Sequence, residues 1–176
     1  MEEVDGRAAV SRETIGEVDP ASDEARRCLA AYGAELDARF PEGFDPADLV
    51  APSELRAEGG AFLVVRAAGW AIACGIVRPQ APGTVELKHL WVDPGHRGRG
   101  VARRLLGALE DWARDHGARE ARLDTHATLR EAVGLYRTSG YREVPAYGNN
   151  PHAHHWFAKD LGAPRRPART APRRGP

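Results

Sequence analysis

The sequence predicts a mixed α/β fold, in which a central sheet built from hairpins and helical crossovers is packed against helices. Three observations support this prediction. The chain has 176 residues, of which 42% are hydrophobic and 28% are charged, as expected for one globular domain. Strand-like apolar runs first occur as a pair joined by a short turn. Later in the chain, strand-like runs alternate with segments of helical periodicity.

The first half of the chain predicts a long helix, a short irregular segment and two antiparallel strands. In chain order, these are a helix over 21–40, a short helix or loop over 47–60, and strands over 61–66 and 70–78. Ser22 or Asp23 can cap the long helix, because their side chains accept hydrogen bonds from amides of the first turn. Pro41 then ends that helix, since proline lacks an amide proton.

The second half predicts strands that alternate with helices. In chain order, these are a strand over 84–92, a helix over 101–116, a strand over 120–124, a helix over 129–139, and strands over 141–144 and 155–161. Gly117 and Gly140 follow the two helices, where glycine is a common terminator. We therefore expect a flexible N-terminus over 1–10, one domain over 11–161 and a disordered tail over 162–176.

Basic residues are concentrated in the tail. The chain has 25 basic and 25 acidic residues, and the last 15 residues hold five arginines and no acid. Residues 1–161 therefore have a net charge of −5, which suits a cationic small molecule as substrate. Because the tail has no aromatic residue to stack on bases, nucleic acid is not an expected partner.

The chain contains no sequence typical of a membrane or secreted protein. No run approaches the roughly 18–20 apolar residues that span a bilayer. The acidic N-terminus lacks the basic and then apolar pattern of a secretory signal. Two cysteines, Cys28 and Cys74, are too few for a disulfide scaffold. We therefore expect a cytoplasmic protein with no membrane partner.

A glycine-rich loop at 95–100 joins the strand over 84–92 to the helix that follows. Glycines let amide groups converge, and a helix N-terminus adds free donors and partial positive charge. This arrangement suits a phosphate or diphosphate, with Arg97 and Arg99 adding charge at the rim. It also suits a plain strand-to-helix turn with solvated arginines. A P-loop is excluded because its Gly-Lys-Ser/Thr string is absent, and Arg103 breaks the dinucleotide fingerprint.

Two separate motifs resemble those of the GNAT superfamily of acyl-CoA-dependent N-acyltransferases. The loop contains R-x-x-G-x-A at Arg97, Gly100 and Ala102, and residues 132–141 contain A-x-x-L-Y-x-x-x-G-Y. The strand over 84–92 also resembles the family's E-x-K-x-x-x-V strand. The resemblance covers roughly residues 60–161 and implies a mostly antiparallel sheet of six to seven strands. In that fold, the sheet is splayed at the acyl-CoA site and has helices on both faces.

The resemblance also implies which residues contact acetyl-CoA. The diphosphate would lie on the loop, and the pantetheine arm would pair with the main chain of the splayed strand. The implied contacts are Leu90, Trp91, Val92, Arg97, Gly98, Arg99, Gly100, Val101 and Ala102. Where the family often has an asparagine that holds the arm, this chain has Leu129, and His126 is the nearest polar residue.

Two residues are candidate catalytic groups. An alkylamine is almost wholly protonated at neutral pH, so a base must accept its proton, and Glu86 is the first candidate. An alternative is that Glu86 is an ordinary strand carboxylate paired with Lys88 or another neighbour. Tyr136 resembles the family's general acid, which protonates the departing sulfur, or it only packs against the sheet. A backbone amide near Leu90 or Trp91 could polarise the thioester carbonyl.

The predicted function is transfer of an acetyl group from acetyl-CoA to a primary amine of a small molecule or amino acid, by direct attack in a ternary complex. The alternatives are a non-catalytic acyl-CoA-binding module and a protein acetyltransferase acting on lysine or an N-terminus. We expect no metal, because strand alternation would place the adjacent His154 and His155 on opposite faces. Homodimers are frequent among similar proteins, and the sequence leaves the oligomeric state open.

Overall fold

The computed structural model describes residues 13–163, so the predictions for the N-terminus over 1–10 and for the tail beyond residue 163 lie outside the described residues. The strands are β1 (Thr14–Val18), β2 (Ala61–Ala67), β3 (Trp70–Ala81), β4 (Thr84–Val92), β5 (Glu120–Thr125), β6 (Arg142–Glu143) and β7 (His155–Asp160). The α-helices are α1 (Asp23–Arg39), α2 (Pro52–Ala57), α3 (Val101–Asp115) and α4 (Arg130–Thr138).

The strands form one sheet in the order β1-β2-β3-β4-β5-β7-β6. Only β4 and β5 are parallel among these neighbours, and α3 provides the crossover that a parallel pair requires. All other neighbours are antiparallel. The predicted mixed, mostly antiparallel sheet is therefore confirmed.

Helices cover both faces of the sheet, and the alternation of side chains along β2 shows the division. Leu63 and Val65 belong to the core cluster that contains buried residues of α3 and α4. Phe62 and Val64 belong to a second cluster with buried residues of α1 and α2. Burial of each such side chain contributes about 1.5–3 kcal/mol. Within residues 13–163, no helix has the length and apolar character needed to cross a bilayer.

The largest differences from the strands predicted by the sequence are at β1 and β3. The edge strand β1 was not predicted, because its five residues show no clear alternation of apolar and polar side chains. Strand β3 continues to Ala81, three residues past the predicted end. A register shift between Pro79 and Ala81 accommodates the proline within the ladder. At α1, Ser22 is the N-cap, and its side chain accepts a hydrogen bond from the amide of Ala25.

Strands β4 and β5 pair only at their beginnings. Thr84–Glu86 is in register with Glu120–Arg122, and beyond these residues the two strands separate. On its other side, β4 has two residues, His89 and Leu90, opposite the single Gly75 of β3. Such a bulge bends the strand and leaves a main-chain group unpaired. The bulge and the short pairing together produce the predicted splay.

Candidate active site

A cavity of about 600 Å³ lies where β4 and β5 separate. Glu86 and Leu90 line it from β4, Asp124 from β5 and Tyr136 from α4. Residues of α1 and of the loop between β6 and β7 complete its walls. The structure thus brings the two predicted catalytic residues, which are 50 positions apart in sequence, to the same cavity.

The loop before α3 presents a run of free amide groups. The amides of residues 98–103 donate to no acceptor in the described part of the chain, and the first intrahelical bond is from the Arg104 amide to the Gly100 carbonyl. Gly98 and Gly100 have φ angles of +73° and +75°, which glycine adopts without strain. No side chain caps α3. This amide loop fits a diphosphate, because its donors and the helix dipole both favour negative charge.

The Arg97 side chain is exposed at the rim of the loop, and it is also bonded to two other groups of the protein. Its Nε donates to the Val92 carbonyl at 2.9 Å, and its Nη2 contacts Glu35 Oε2 at 2.5 Å. Glu35 lies on α1, so the bond joins the loop to a helix on the other side of the site. Arg99 is also exposed.

Glu86 is buried and lies among charged neighbours. Its Oε2 accepts from Nε of Arg78 at 2.9 Å, and its Oε1 is 3.6 Å from Nζ of Lys88. The Lys88 ammonium is also 3.8 Å from Asp124 Oδ2 on the opposite strand. The alternative that Glu86 pairs with its neighbours is therefore observed.

Tyr136 is buried beneath the cavity. Its ring contacts those of Tyr141 and Phe157, with centroids 5.9 Å and 5.8 Å away. Burial, together with a smaller effect of the negative charge of Asp124, raises the pKa of the Tyr136 hydroxyl above its usual range. The phenol is therefore protonated at neutral pH and is available as a proton donor.

The sequence of this chain matches a known family. The model of the acetyltransferase (GNAT) family matches residues 25–141. The chain belongs to the GNAT acetyltransferase family. It is by class an acyl-CoA-dependent N-acetyltransferase. A GNAT-family acetyltransferase from Staphylococcus aureus has the same fold, with a TM-score of 0.73 at 15% identity over 85% of this chain and 99% of that one.

Three curated relatives illustrate the range of acceptors named within the family. An aminoglycoside N(6')-acetyltransferase type 1 of Stenotrophomonas maltophilia is 32% identical over 71% of this chain and 88% of its own. The N-alpha-acetyltransferase RimI of Mycobacterium tuberculosis is 35% identical over 74% and 79%. An IAA acetyltransferase of Azospirillum brasilense is 34% identical over 49% of this chain, which spans only 58% of that relative's length.

The predicted acyl-CoA residues of this GNAT protein lie along one path. Leu90 lines the cavity, whereas Trp91 and Val92 are buried in the sheet, and the Trp91 indole donates to Glu35 at 3.0 Å. Val101 is buried at the start of α3 and Ala102 is partly buried. The path from Leu90 to Ala102 therefore joins the cavity to the amide loop.

His126, predicted as a replacement for the family's asparagine, lies in the cavity wall. Both ring nitrogens have partners, Thr128 Oγ1 at 2.9 Å and Glu42 Oε1 at 3.2 Å. The ring stacks on Phe40 with centroids 4.0 Å apart, and burial lowers the pKa of His126. These contacts fix the ring in the wall at the end of the cavity formed by α1.

Sequence reasoning missed two residues of the site, His89 and Asp124. His89 sits at the bulge with a φ of +55°, and its Nε2 accepts from the Val50 amide at 3.0 Å. Asp124 accepts from the side-chain amide of Asn150 at 2.7 Å. Tyr147 lines the cavity, and its buried hydroxyl has no partner among residues 13–163. The positive φ angle of His89 belongs to the bulge in β4. The position of that bulge depends on the register between β3 and β4, which the local sequence does not specify.

In the described part of the chain, no group of three or more His, Cys, Asp or Glu side chains has the geometry to hold a metal ion. The polar groups in the cavity are suited to proton transfer, since they include a buried carboxylate and a buried neutral phenol.

Proposed function

We propose that this protein transfers an acetyl group from acetyl-CoA to the primary amine of a cationic small molecule or amino acid. The observation that supports this most strongly is the cavity between β4 and β5. Glu86 and Tyr136 both line it, and so does Leu90, which lies on the strand that leads to the free amides of residues 98–103. A donor bound along β4 would therefore present its thioester to both catalytic candidates.

Acetyl-CoA would bind by two features of the main chain. The amide loop would hold the diphosphate, because its free donors and the α3 dipole favour an anion. Beyond Glu86, β4 has no partner strand on the β5 side. Amide groups of the pantetheine arm would add to this edge by main-chain hydrogen bonds, as a peptide adds to an open sheet.

The chemistry follows from the two side chains in the cavity. Glu86 accepts a proton from the acceptor ammonium, and the neutral nitrogen then attacks the thioester carbonyl carbon. An amide of the bulge near Leu90 or Trp91 stabilises the oxyanion of the tetrahedral intermediate. The carbon–sulfur bond breaks, and the departing thiolate takes the hydroxyl proton of Tyr136. The acylated nitrogen still carries one excess proton, which it loses to solvent while the tyrosinate regains a proton from solvent. Glu86 then releases the proton of the ammonium to solvent. Attack is direct, so no acyl-enzyme is formed.

The charge of the cavity supports a cationic acceptor. Two cationic side chains line it, Arg78 and Lys88. The five carboxylates that line it are Asp48, Glu54, Glu58, Glu86 and Asp124. An excess of negative charge attracts an ammonium group and holds it near the base. The aminoglycoside acetyltransferase relative has a name consistent with a small amine acceptor.

A second candidate acceptor is the N-terminus of a protein. The 35% identity to the N-alpha-acetyltransferase RimI of Mycobacterium tuberculosis, over 79% of that relative's length, favours it. In this case, the open end of the cavity would receive an extended peptide N-terminus rather than a whole small molecule. The same two catalytic candidates would serve either acceptor.

Release of free thiol from acetyl-CoA, followed with a panel of amines, tests the proposal. The panel contains aminoglycosides, polyamines, free amino acids and a peptide that begins with alanine. We expect saturable turnover with small cationic amines. Turnover with the peptide alone would support the second candidate. Saturable acetyl-CoA binding with no turnover on any amine would indicate a non-catalytic acyl-CoA-binding module instead.

A further inference from the structure

Glu35 on α1 links three parts of the site. Its Oε2 accepts the Trp91 indole N–H at 3.0 Å and contacts Nη2 of Arg97 at 2.5 Å. Its Oε1 accepts from Nη1 of Arg39 at 3.1 Å. The carboxylate therefore bonds to β4, to the amide loop and to a second arginine of its own helix. Three donors on one carboxylate leave it little freedom to move.

Arg39 extends this connection to the far wall of the splay. Its guanidinium pairs with Glu131, in the first turn of α4, and its Nη2 donates to the Thr128 carbonyl at 2.8 Å. Helix α1 thus bridges the β4 side and the α4 side of the site. Burial opposes ionisation of Glu35, but its bonds to Arg97 and Arg39 outweigh this effect and lower the pKa of its carboxyl.

The Arg97 guanidinium bonds to two groups that lie outside the loop over 95–100. Two of its nitrogens are used by the Val92 carbonyl and Glu35. The first bond ties the loop to the end of β4, and the second ties it to α1. An arginine held in this way fixes the path of the chain from residue 92 to residue 98, and so the direction in which the following amides point.

We propose that Glu35 is a positioning residue for acyl-CoA binding, which holds the Arg97 side chain on the Val92 carbonyl and thereby fixes the amide loop. In this arrangement, Arg97 does not bind the diphosphate through its side chain. The inference rests on the acyl-CoA site proposed above and adds to it a residue of α1 that lies outside the cavity and both family motifs.

The Glu35→Gln variant distinguishes this role from the alternative, in which the Arg97 side chain binds the diphosphate. The two roles predict opposite changes in the affinity for acetyl-CoA. If Arg97 is a phosphate ligand, Glu35→Gln frees a cation and removes a nearby negative charge, so acetyl-CoA should bind more tightly. If Glu35 positions the loop, the same change loosens Arg97 and weakens binding. We expect the Kd for acetyl-CoA to rise about tenfold, while kcat at saturation stays within about twofold of wild type.

Glu24→Gln is a matched control. Glu24 also lies on α1, and its carboxylate makes a bidentate pair with Arg66, away from the site. The side chains of Glu24 and Glu35 are similarly exposed, at 19% and 20%. We expect Glu24→Gln to lower thermal stability about as much as Glu35→Gln but to leave the Kd unchanged. Equal weakening by both variants would overturn the proposal.

Arg97→Lys provides a second, independent test. Lysine keeps the positive charge but cannot make both bonds of the guanidinium fork. The positioning role predicts weaker binding with an unchanged dependence of the Kd on salt, and little further loss when Glu35→Gln is added. A phosphate-ligand role predicts near wild-type binding for Arg97→Lys, because lysine is itself a good phosphate ligand.

Calorimetric titration of the full chain and these variants with acetyl-CoA distinguishes failure of the proposed function from failure of the proposed role of Glu35. If the wild type shows no binding, the acyl-CoA site itself is wrong. If the wild type binds and Glu35→Gln binds equally well or better, only the positioning role of Glu35 is overturned, and the proposed function stands.

Discussion

The Nε2 atom of His89 accepts a hydrogen bond from the Val50 amide at 3.0 Å, which joins the bulge of β4 to the segment before α2. His89 is nine-tenths buried and lies in the wall of the cavity. Its ring must be neutral to accept this bond. Accordingly, burial, with smaller effects of Lys88 and Arg78, lowers the pKa of His89 to about 3.

This lowered pKa predicts a loss of stability in acid. The unfolded chain binds a proton at His89 below a pH of about 6.5, whereas the folded protein does not bind one until the pH nears 3. The contribution of His89 to folding is therefore complete above pH 6.5 and is lost as the pH falls towards 3. The expected slope is about 1.4 kcal/mol per pH unit.

Urea unfolding of the wild type and His89→Gln at pH 7 and pH 5 measures this effect. Glutamine does not titrate and can accept the same bond. We expect the wild type to lose about 2 kcal/mol more than the variant between the two pH values. An equal loss in both proteins would show that His89 is protonated in the folded state.

Much of the fold can be predicted from the sequence, since α3 and β4 have strong patterns. The apolar period of the helix and the dense β-branched and aromatic residues of the strand agree with their final environment. The five residues of β1 have no such pattern. This strand takes its place at the sheet edge by pairing with β2, so its local sequence does not predict it. The bulge at His89 depends on the register with Gly75, which requires the tertiary structure.

The sequence predicts the part of the candidate site that depends on main-chain geometry. It does not predict the contacts between side chains that are far apart in sequence. Three glycines before a helix indicate an anion site, and the free amides agree with that hypothesis. The partner of Arg97 is 62 positions earlier, on α1, so no local pattern could reveal it. The side chain is exposed, as the sequence suggests, but its bond to α1 is visible only in the structure.

We predict that Glu86→Gln lowers kcat by about 100-fold or more at neutral pH, because an amide cannot accept the proton of the acceptor ammonium. The loss should diminish at high pH, where more acceptor is already neutral. Glu120→Gln is the control, since Glu120 also pairs with an arginine, Arg122, but is not among the residues that line the cavity. Steady-state turnover between pH 6 and pH 9 measures both variants. Unchanged turnover of Glu86→Gln across that range would remove Glu86 from the mechanism.

We expect Tyr136→Phe to lower kcat by about 100-fold while the KM for acetyl-CoA changes little. The phenylalanine ring keeps the contacts with Tyr141 and Phe157, so stability should change little. Single-turnover measurements of thiol release separate chemistry from product release. Full single-turnover rates in Tyr136→Phe would show that the residue only packs against the sheet.

Gly98→Ala tests whether the amide loop binds acetyl-CoA. The control is Gly117→Ala, at the end of α3. Gly98 and Gly117 have positive φ angles, +73° and +85°, and a Cβ at either would meet no atom within 4 Å. Alanine at each position should therefore cost about 1 kcal/mol of stability, from backbone strain alone. Only Gly98→Ala should weaken acetyl-CoA binding, because only that loop holds the diphosphate. Similar affinities for the two variants would argue against this assignment.

The most direct test is calorimetric titration of the 176-residue chain with acetyl-CoA and with CoA. It asks whether the free amides of residues 98–103 and the separated strands β4 and β5 form the acetyl-CoA site. We predict one binding site per chain, saturable with either ligand, and an affinity that falls when Gly98 is replaced by alanine. A well-folded protein that produces no heat of binding with either ligand would contradict the account.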